Sequence, residues 1–107
     1  MSDPEPEGAG TGPGTGATVL TRTLIICNKR GLHARAAAKF VTLAERFGAA
    51  VEVLKDGQSV SARSIMGLMM LGAGQGSSIE LQAEGWDAKE ALDALSALVE
   101  AGFHEQD

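Results

Sequence analysis

The chain has 107 residues, 44% of them hydrophobic, and a formal net charge of −5, which bounds it to one domain with a single modest core. No apolar run approaches the roughly 20 residues that cross a bilayer. One cysteine excludes an internal disulfide, and the acidic balance argues against general nucleic-acid binding, which rests on phosphate neutralisation.

In chain order, residues 1–17 are rich in Gly, Pro, Thr and acid, with no apolar residue larger than alanine after Met1. Such a stretch buries too little surface to offset its ordering entropy, which predicts a disordered tail. It also lacks the basic and apolar segments of a signal peptide, so the cytoplasm is the expected compartment. The folded domain is expected over 18–102, followed by a polar C-terminal tail, 103–107. Charge is uneven within the domain. Residues 22–63 hold eight Lys/Arg against three acids, and residues 64–107 hold Lys89 against eight. The basic block is too small for a polyanion groove but suits one phosphate, or an acidic patch on a partner.

The β-branched and apolar run 19–27 reads as a strand. From His33, the positions Ala37, Phe40, Val41, Ala44 and Phe47 follow helical spacing, with Gly48 as the stop. Residues 50–55 form a strand, Asp56-Gly57 is a hairpin turn signal, and 58–62 returns. Residues 64–72 open on Ser and close on Gly around an apolar run, a short helix. The run 79–84 alternates as a half-buried strand. A last helix starts at Asp87, with Glu90 in a capping-box arrangement and an apolar face of Ala88, Ala91, Leu92, Leu95, Leu98 and Val99. The order is β-α-β-β-α-β-α. The simplest packing is an α+β open-faced sandwich, a four-stranded mainly antiparallel sheet with three helices on one face.

His33 is the candidate reactive group. It lies at a predicted helix N-terminus, where unpaired N–H groups and the positive end of the dipole favour anions. The same dipole biases imidazole toward its neutral, nucleophilic form. Arg35 adds a planar donor fork suited to phosphate oxygens. No glycine-rich phosphate loop accompanies them, so nothing here holds a nucleotide. On position alone, a histidine that merely starts a helix and a solvated arginine account for the pair as well.

The string "GLHARAAAKFV" resembles the active-site segment of the histidine-containing phosphocarrier proteins, HPr and its nitrogen-branch relatives, of the phosphoenolpyruvate-dependent phosphotransferase system. "SARSIMGLMMLGAGQGSSIELQAEG" (61–85) is similar to the second helix, following loop and last strand of that family. Together the likeness spans about residues 19–100. It implies the same β-α-β-β-α-β-α sandwich, His33 as phosphoryl acceptor at Nδ1, and Arg35 as support for the phosphorylated ring. It also implies Gly31 and Leu32 as the turn that presents the ring. Where the family commonly has proline, Ala36 stands; it restores one backbone donor in the first turn, which touches the tuning of transfer rather than the assignment. Arg30 replaces a small polar residue, adding a basic group for an acidic docking face.

Ser64 matches the serine that a dedicated kinase/phosphorylase modifies in some members, although serine is also a preferred N-cap. The family docks through its first two helices, which makes Arg30, Lys39, Met66, Leu68 and Met69 the expected docking residues, with Arg46 near them. Most of the run 65–71 is expected in the core. The implied partners are enzyme I, an enzyme IIA-type acceptor and an HPr kinase/phosphorylase, with no nucleic acid or membrane. The chain is expected to act as a monomeric carrier rather than a stand-alone enzyme, with no metal or organic cofactor. Acceptors in sugar transport and in nitrogen regulation both fit, and the motifs lean toward the regulatory branch. Two rivals are a regulatory protein acting through Ser64 alone and a small ligand-binding sandwich. Trp86 is expected to pack at a strand-to-helix corner, His104 to be inert, and Cys27 to close the first strand without chemistry.

Overall fold

Alternation and helical periodicity place the elements almost where the sequence predicts them. The computed structural model describes residues 18–105; the expected tail, 1–17, lies outside the described residues. The elements are β1 (Val19–Ile25), α1 (Ala34–Ala44), β2 (Ala50–Lys55), β3 (Gln58–Ser61), α2 (Ile65–Met70), β4 (Ser78–Glu84) and α3 (Ala88–Glu100). A single 3₁₀ turn, Gly102–His104, follows. β1 stops two residues short of Cys27 because the chain there leaves the ladder for the turn before His33.

The sheet order is β1-β4-β2-β3, and every pairing among the described residues is antiparallel. Period-two alternation turns Ile79, Leu81 and Ala83 of β4 and Val51 and Val53 of β2 toward the helices, all buried. Glu80, Gln82 and Glu84 take the opposite face, so one side of the sheet is covered and the other wet. α1 contributes Ala36, Ala37, Phe40, Val41 and Ala44 to the core, and the whole apolar face expected for α3 is buried.

Three expectations fail locally. Asp87 does cap α3 by position, but its carboxylate makes no cap bond and instead accepts from the backbone N–H of Gly48 (2.9 Å) and Ala49 (2.8 Å). Those two donors lead into β2, and the buried Asp87 carboxylate satisfies both of them in place of a bond to its own helix. Trp86 does not pack into the corner: 89% of it is exposed. Its indole lies over Gly48, where any Cβ would meet Nε1 at 2.8 Å. In the run 65–71 only Leu68 and Leu71 are buried, whereas Ile65, Met66, Met69 and Met70 are exposed. A six-residue helix has room for one inward stripe, and the remaining apolar residues stay outside.

The segment expected as a C-terminal tail carries packed residues. Gly102, Phe103 and His104 take φ values of 64°, 58° and 58°, turning the chain back over the start of α1. The two non-glycine residues in that region, Phe103 and His104, cost roughly 1–2 kcal/mol each. The Phe103 ring, 0% exposed, recovers a similar amount, roughly 1.5–3 kcal/mol, by burial. A 2.6 Å hydrogen bond from Lys39 Nζ to the Phe103 carbonyl adds to the favourable side.

Candidate functional site

The two sequence motifs meet at the start of α1. The turn leading into the helix is laced to the loop that follows α2. Ile26 N–H donates to Ser77 O (2.9 Å), Gly76 N–H to Ile26 O (2.8 Å), and Leu32 N–H to Ala73 O (2.9 Å). Gly31 makes the close approach that this lacing needs. Its φ is +64°, and a Cβ there would sit 2.3 Å from Ala73 O and 2.7 Å from Gly74 Cα, so only glycine fits. Leu32, buried beside it, anchors the turn.

His33 follows as the N-cap residue of α1, with extended backbone (φ −73°, ψ 177°) and its carbonyl accepting from Ala37 N–H at 2.9 Å. Its side chain makes no cap bond. The ring turns instead to Glu105, whose Oε2 it contacts through Nε2; the histidine side chain is 16% exposed and the glutamate side chain 9%. Nδ1 makes no hydrogen bond to any described residue. Glu105 is oriented from its other side by Asn28, whose Nδ2 donates to Glu105 Oε1 (3.0 Å) and to Gly31 O (2.9 Å). Asn28 is buried, and its Oδ1 has no partner among the described residues. The bond from His33 holds the Glu105 carboxyl below its ordinary value. Desolvation opposes this, while the Asn28 bond and the charges of His33 and Lys39 assist it.

Arg35 is exposed in the first turn of α1 and makes no hydrogen bond or ion pair with the described residues, leaving its guanidinium available to an incoming anion. With the N–H groups of that turn, the site offers a nucleophilic nitrogen, oriented donors and one positive charge. Among the described residues, no group of three His, Cys, Asp or Glu side chains is arranged to hold a metal ion.

Ser64 caps α2: its Oγ accepts from Gly67 N–H at 2.9 Å, and the residue is half-buried. Of the expected docking residues, Arg30, Met66 and Met69 are exposed. Leu68 is a correction, because at 0% exposed it belongs to the core and is closed to any partner. Lys39 is half-buried, and its ammonium donates to the Phe103 carbonyl. Met70, 75% exposed, takes the outward position that Leu68 does not. Cys27 lies past the strand end, its thiol directed at the Val99 carbonyl (3.4 Å). His104 is exposed.

Sequence reasoning misses Glu105 and Asn28. Asn28 sits within the motif-bearing stretch, which is a usable signal, but Glu105 is 72 positions from His33 in a polar stretch and carries no local sign of its role.

A small two-layer sandwich thus displays one histidine at the cap of its first helix, its Nδ1 without a hydrogen bond to any described residue, beside an exposed arginine. Comparison with known proteins agrees with that architecture. A family model described as the PTS HPr component phosphorylation site matches residues 20–101. Phosphocarrier protein NPr of Shewanella violacea is 49% identical over 88 residues, covering 82% of this chain and 97% of that protein. Phosphocarrier protein HPr of Cupriavidus necator is 49% identical over 87 residues, covering 81% and 98%. Among solved structures, an HPr from Thermoanaerobacter tengcongensis superposes with a TM-score of 0.79 at 48% identity, covering 82% of this chain and 99% of the other. The chain belongs to the HPr family of phosphocarrier proteins of the phosphotransferase system. No helix among the described residues is long and apolar enough to cross a membrane.

Proposed function

We propose that His33 accepts a phosphoryl group at Nδ1 from a phosphohistidine of enzyme I, charged by phosphoenolpyruvate, and passes it to a histidine of an enzyme IIA-type protein. The observation that carries this is the division of labour on one ring: Nε2 is held by Glu105, while Nδ1, at the N-terminus of α1, has no hydrogen bond to any described residue. The step is an in-line displacement at phosphorus. His33 forms the N–P bond as the donor nitrogen leaves, and the helix N–H groups and Arg35 stabilise the phosphoryl oxygens. In the second transfer His33 is the leaving group.

Ser64 is proposed as a regulatory phosphorylation site for an HPr kinase/phosphorylase. A phosphate there adds a charge of about −1.5 to −2. It would stand beside the exposed Ile65, Met66 and Met69, penalising association with an acidic partner more than it disturbs the fold. Relatives named NPr and HPr match at the same 49%, so acceptors from the nitrogen-regulatory and sugar-transport branches both belong in the assay. These exchanges belong to the cytoplasm, where the chain is proposed to work as a monomer.

The test is intact mass after incubation with phosphoenolpyruvate and enzyme I. One added phosphoryl group, lost in mild acid and absent from His33→Ala, is expected. A donor preparation verified on another carrier that leaves this chain unmodified would overturn the proposal.

A further inference from the structure

Glu105 supplies a side chain to a ring 72 residues away, and the transfer step itself assigns its charge no part so far. We infer that Glu105 is a positioning residue for phosphoryl transfer, fixing the proton of His33 on Nε2 so that the Nδ1 lone pair faces the incoming phosphorus and the ring stays protonated once phosphorylated. The inference rests on the carrier reading and deepens it.

The geometry is built rather than incidental. Both acceptor oxygens of Glu105 are engaged, each by a different partner: Oε2 meets His33 Nε2, and Oε1 takes the Asn28 amide. Asn28 is itself fixed, buried and bonded to Gly31 O at 2.9 Å in the turn that presents the ring. The backbone behind Glu105 is anchored through buried Phe103 and through the bond from Lys39, which rises from α1 itself. The groups facing the carboxylate are therefore His33 at the cap of α1, Lys39 from α1 and Asn28 from the preceding turn. All of them favour its ionised form, and an ionised carboxylate accepts but cannot donate. A neutral imidazole facing it must carry its proton on Nε2, leaving Nδ1 as the nucleophile.

The proton balance of the transfer then closes inside the two rings. The donor is a phosphorylated imidazole protonated on its other nitrogen. The Nδ1 lone pair of His33 forms the new N–P bond, and the donor N–P pair returns to the donor ring, which leaves as neutral imidazole. His33 becomes an Nδ1-phosphoryl ring still carrying its Nε2 proton, and no proton need enter or leave. That positive ring is the better leaving group for the next transfer, and the Glu105 carboxylate is the counter-charge that keeps the proton in place.

Two readouts test this in the full chain and in Glu105→Ala and Glu105→Gln. The first is ¹⁵N NMR of the unphosphorylated ring at a pH where it is neutral. The native chain is expected to show the Nε2–H tautomer with a slowly exchanging ring proton. In Glu105→Ala that proton exchanges rapidly and the tautomers mix, whereas Glu105→Gln, whose amide oxygen still accepts, keeps the tautomer. The second is ³¹P NMR of the phosphorylated chain as pH is varied. Its titration midpoint is expected to fall by about 1 pH unit in both variants, because both lose the charge. A tail that merely packs predicts no such fall in Glu105→Gln. An unchanged tautomer and an unchanged midpoint in the variants overturn the inference while leaving the carrier reading intact. If Glu105→Ala unfolds, Glu105→Gln alone decides through the midpoint. A native chain that takes no phosphoryl group defeats the carrier reading instead, and this inference with it.

Discussion

Each of the three α-helices begins on a polar cap residue, and the caps of α1 and α2 behave differently. Ser64 turns its oxygen inward on Gly67 N–H and closes its own helix. His33 has a cap residue's backbone but sends its side chain away from the helix, onto a carboxylate from the far end of the chain. One cap is satisfied by three residues of local sequence; the other is held by a turn, a buried amide and a reversed C-terminus. A cap whose side chain closes the helix is first a structural device, whereas one whose side chain is held elsewhere leaves the helix N-terminus open to a ligand.

The comparison breaks most sharply at His33 itself. His33→Ala is expected to abolish phosphoryl uptake while the thermal midpoint falls only by what the lost contact with Glu105 contributes, since the ring makes no cap bond; intact mass and calorimetry read the two together. A large loss of stability would mean that this cap is structural after all.

Removing the distant support comes next. Phe103→Ala leaves a cavity where a fully buried ring stood, expected to cost about 3–5 kcal/mol in urea unfolding. It should also free Glu105, so the Nε2 proton of His33 exchanges faster in the remaining folded protein. At the same turn, Gly31→Ala forces a Cβ against Ala73 O at a positive φ, with an expected cost on the order of 3 kcal/mol and slower phosphoryl uptake.

Ser64→Ala removes a local cap and is expected to cost about 1 kcal/mol by denaturant titration, leaving phosphoryl uptake at His33 unchanged. If uptake falls with it, the two caps are coupled and the contrast between them fails.

The smallest effect is in acid. Glu105 is lowered in the folded state, chiefly by the bond from His33, so its contribution is fully present above the ordinary carboxylate range. It is lost as pH falls through the depressed value. The difference in thermal midpoint between the native chain and Glu105→Gln should therefore shrink on acidification; a difference that grows would reverse the assigned sign.

Periodicity is enough for the elements because each signal is local. Alternation in 79–84 and the spacing of Ala88, Ala91, Leu92, Leu95, Leu98 and Val99 report burial directly, and all those apolar positions are buried. Hydrophobicity fails where a short element has more apolar residues than inward positions: Leu68, expected at a docking face, is core, while Met70 is outside. Asp87 fails for a related reason, since its partners Gly48 and Ala49 lie 39 and 38 positions away and propensity at a helix start cannot reveal them.

The sequence by itself determined the order of elements, the two-layer architecture and the identity of the candidate histidine with its arginine, because those depend on residue type, spacing and a long motif. Only the tertiary structure decided which nitrogen of that ring is held and by what. The contact joins residues 33 and 105, and it depends on a chain reversal through positive φ at Gly102, Phe103 and His104 that burial of a single phenylalanine supports.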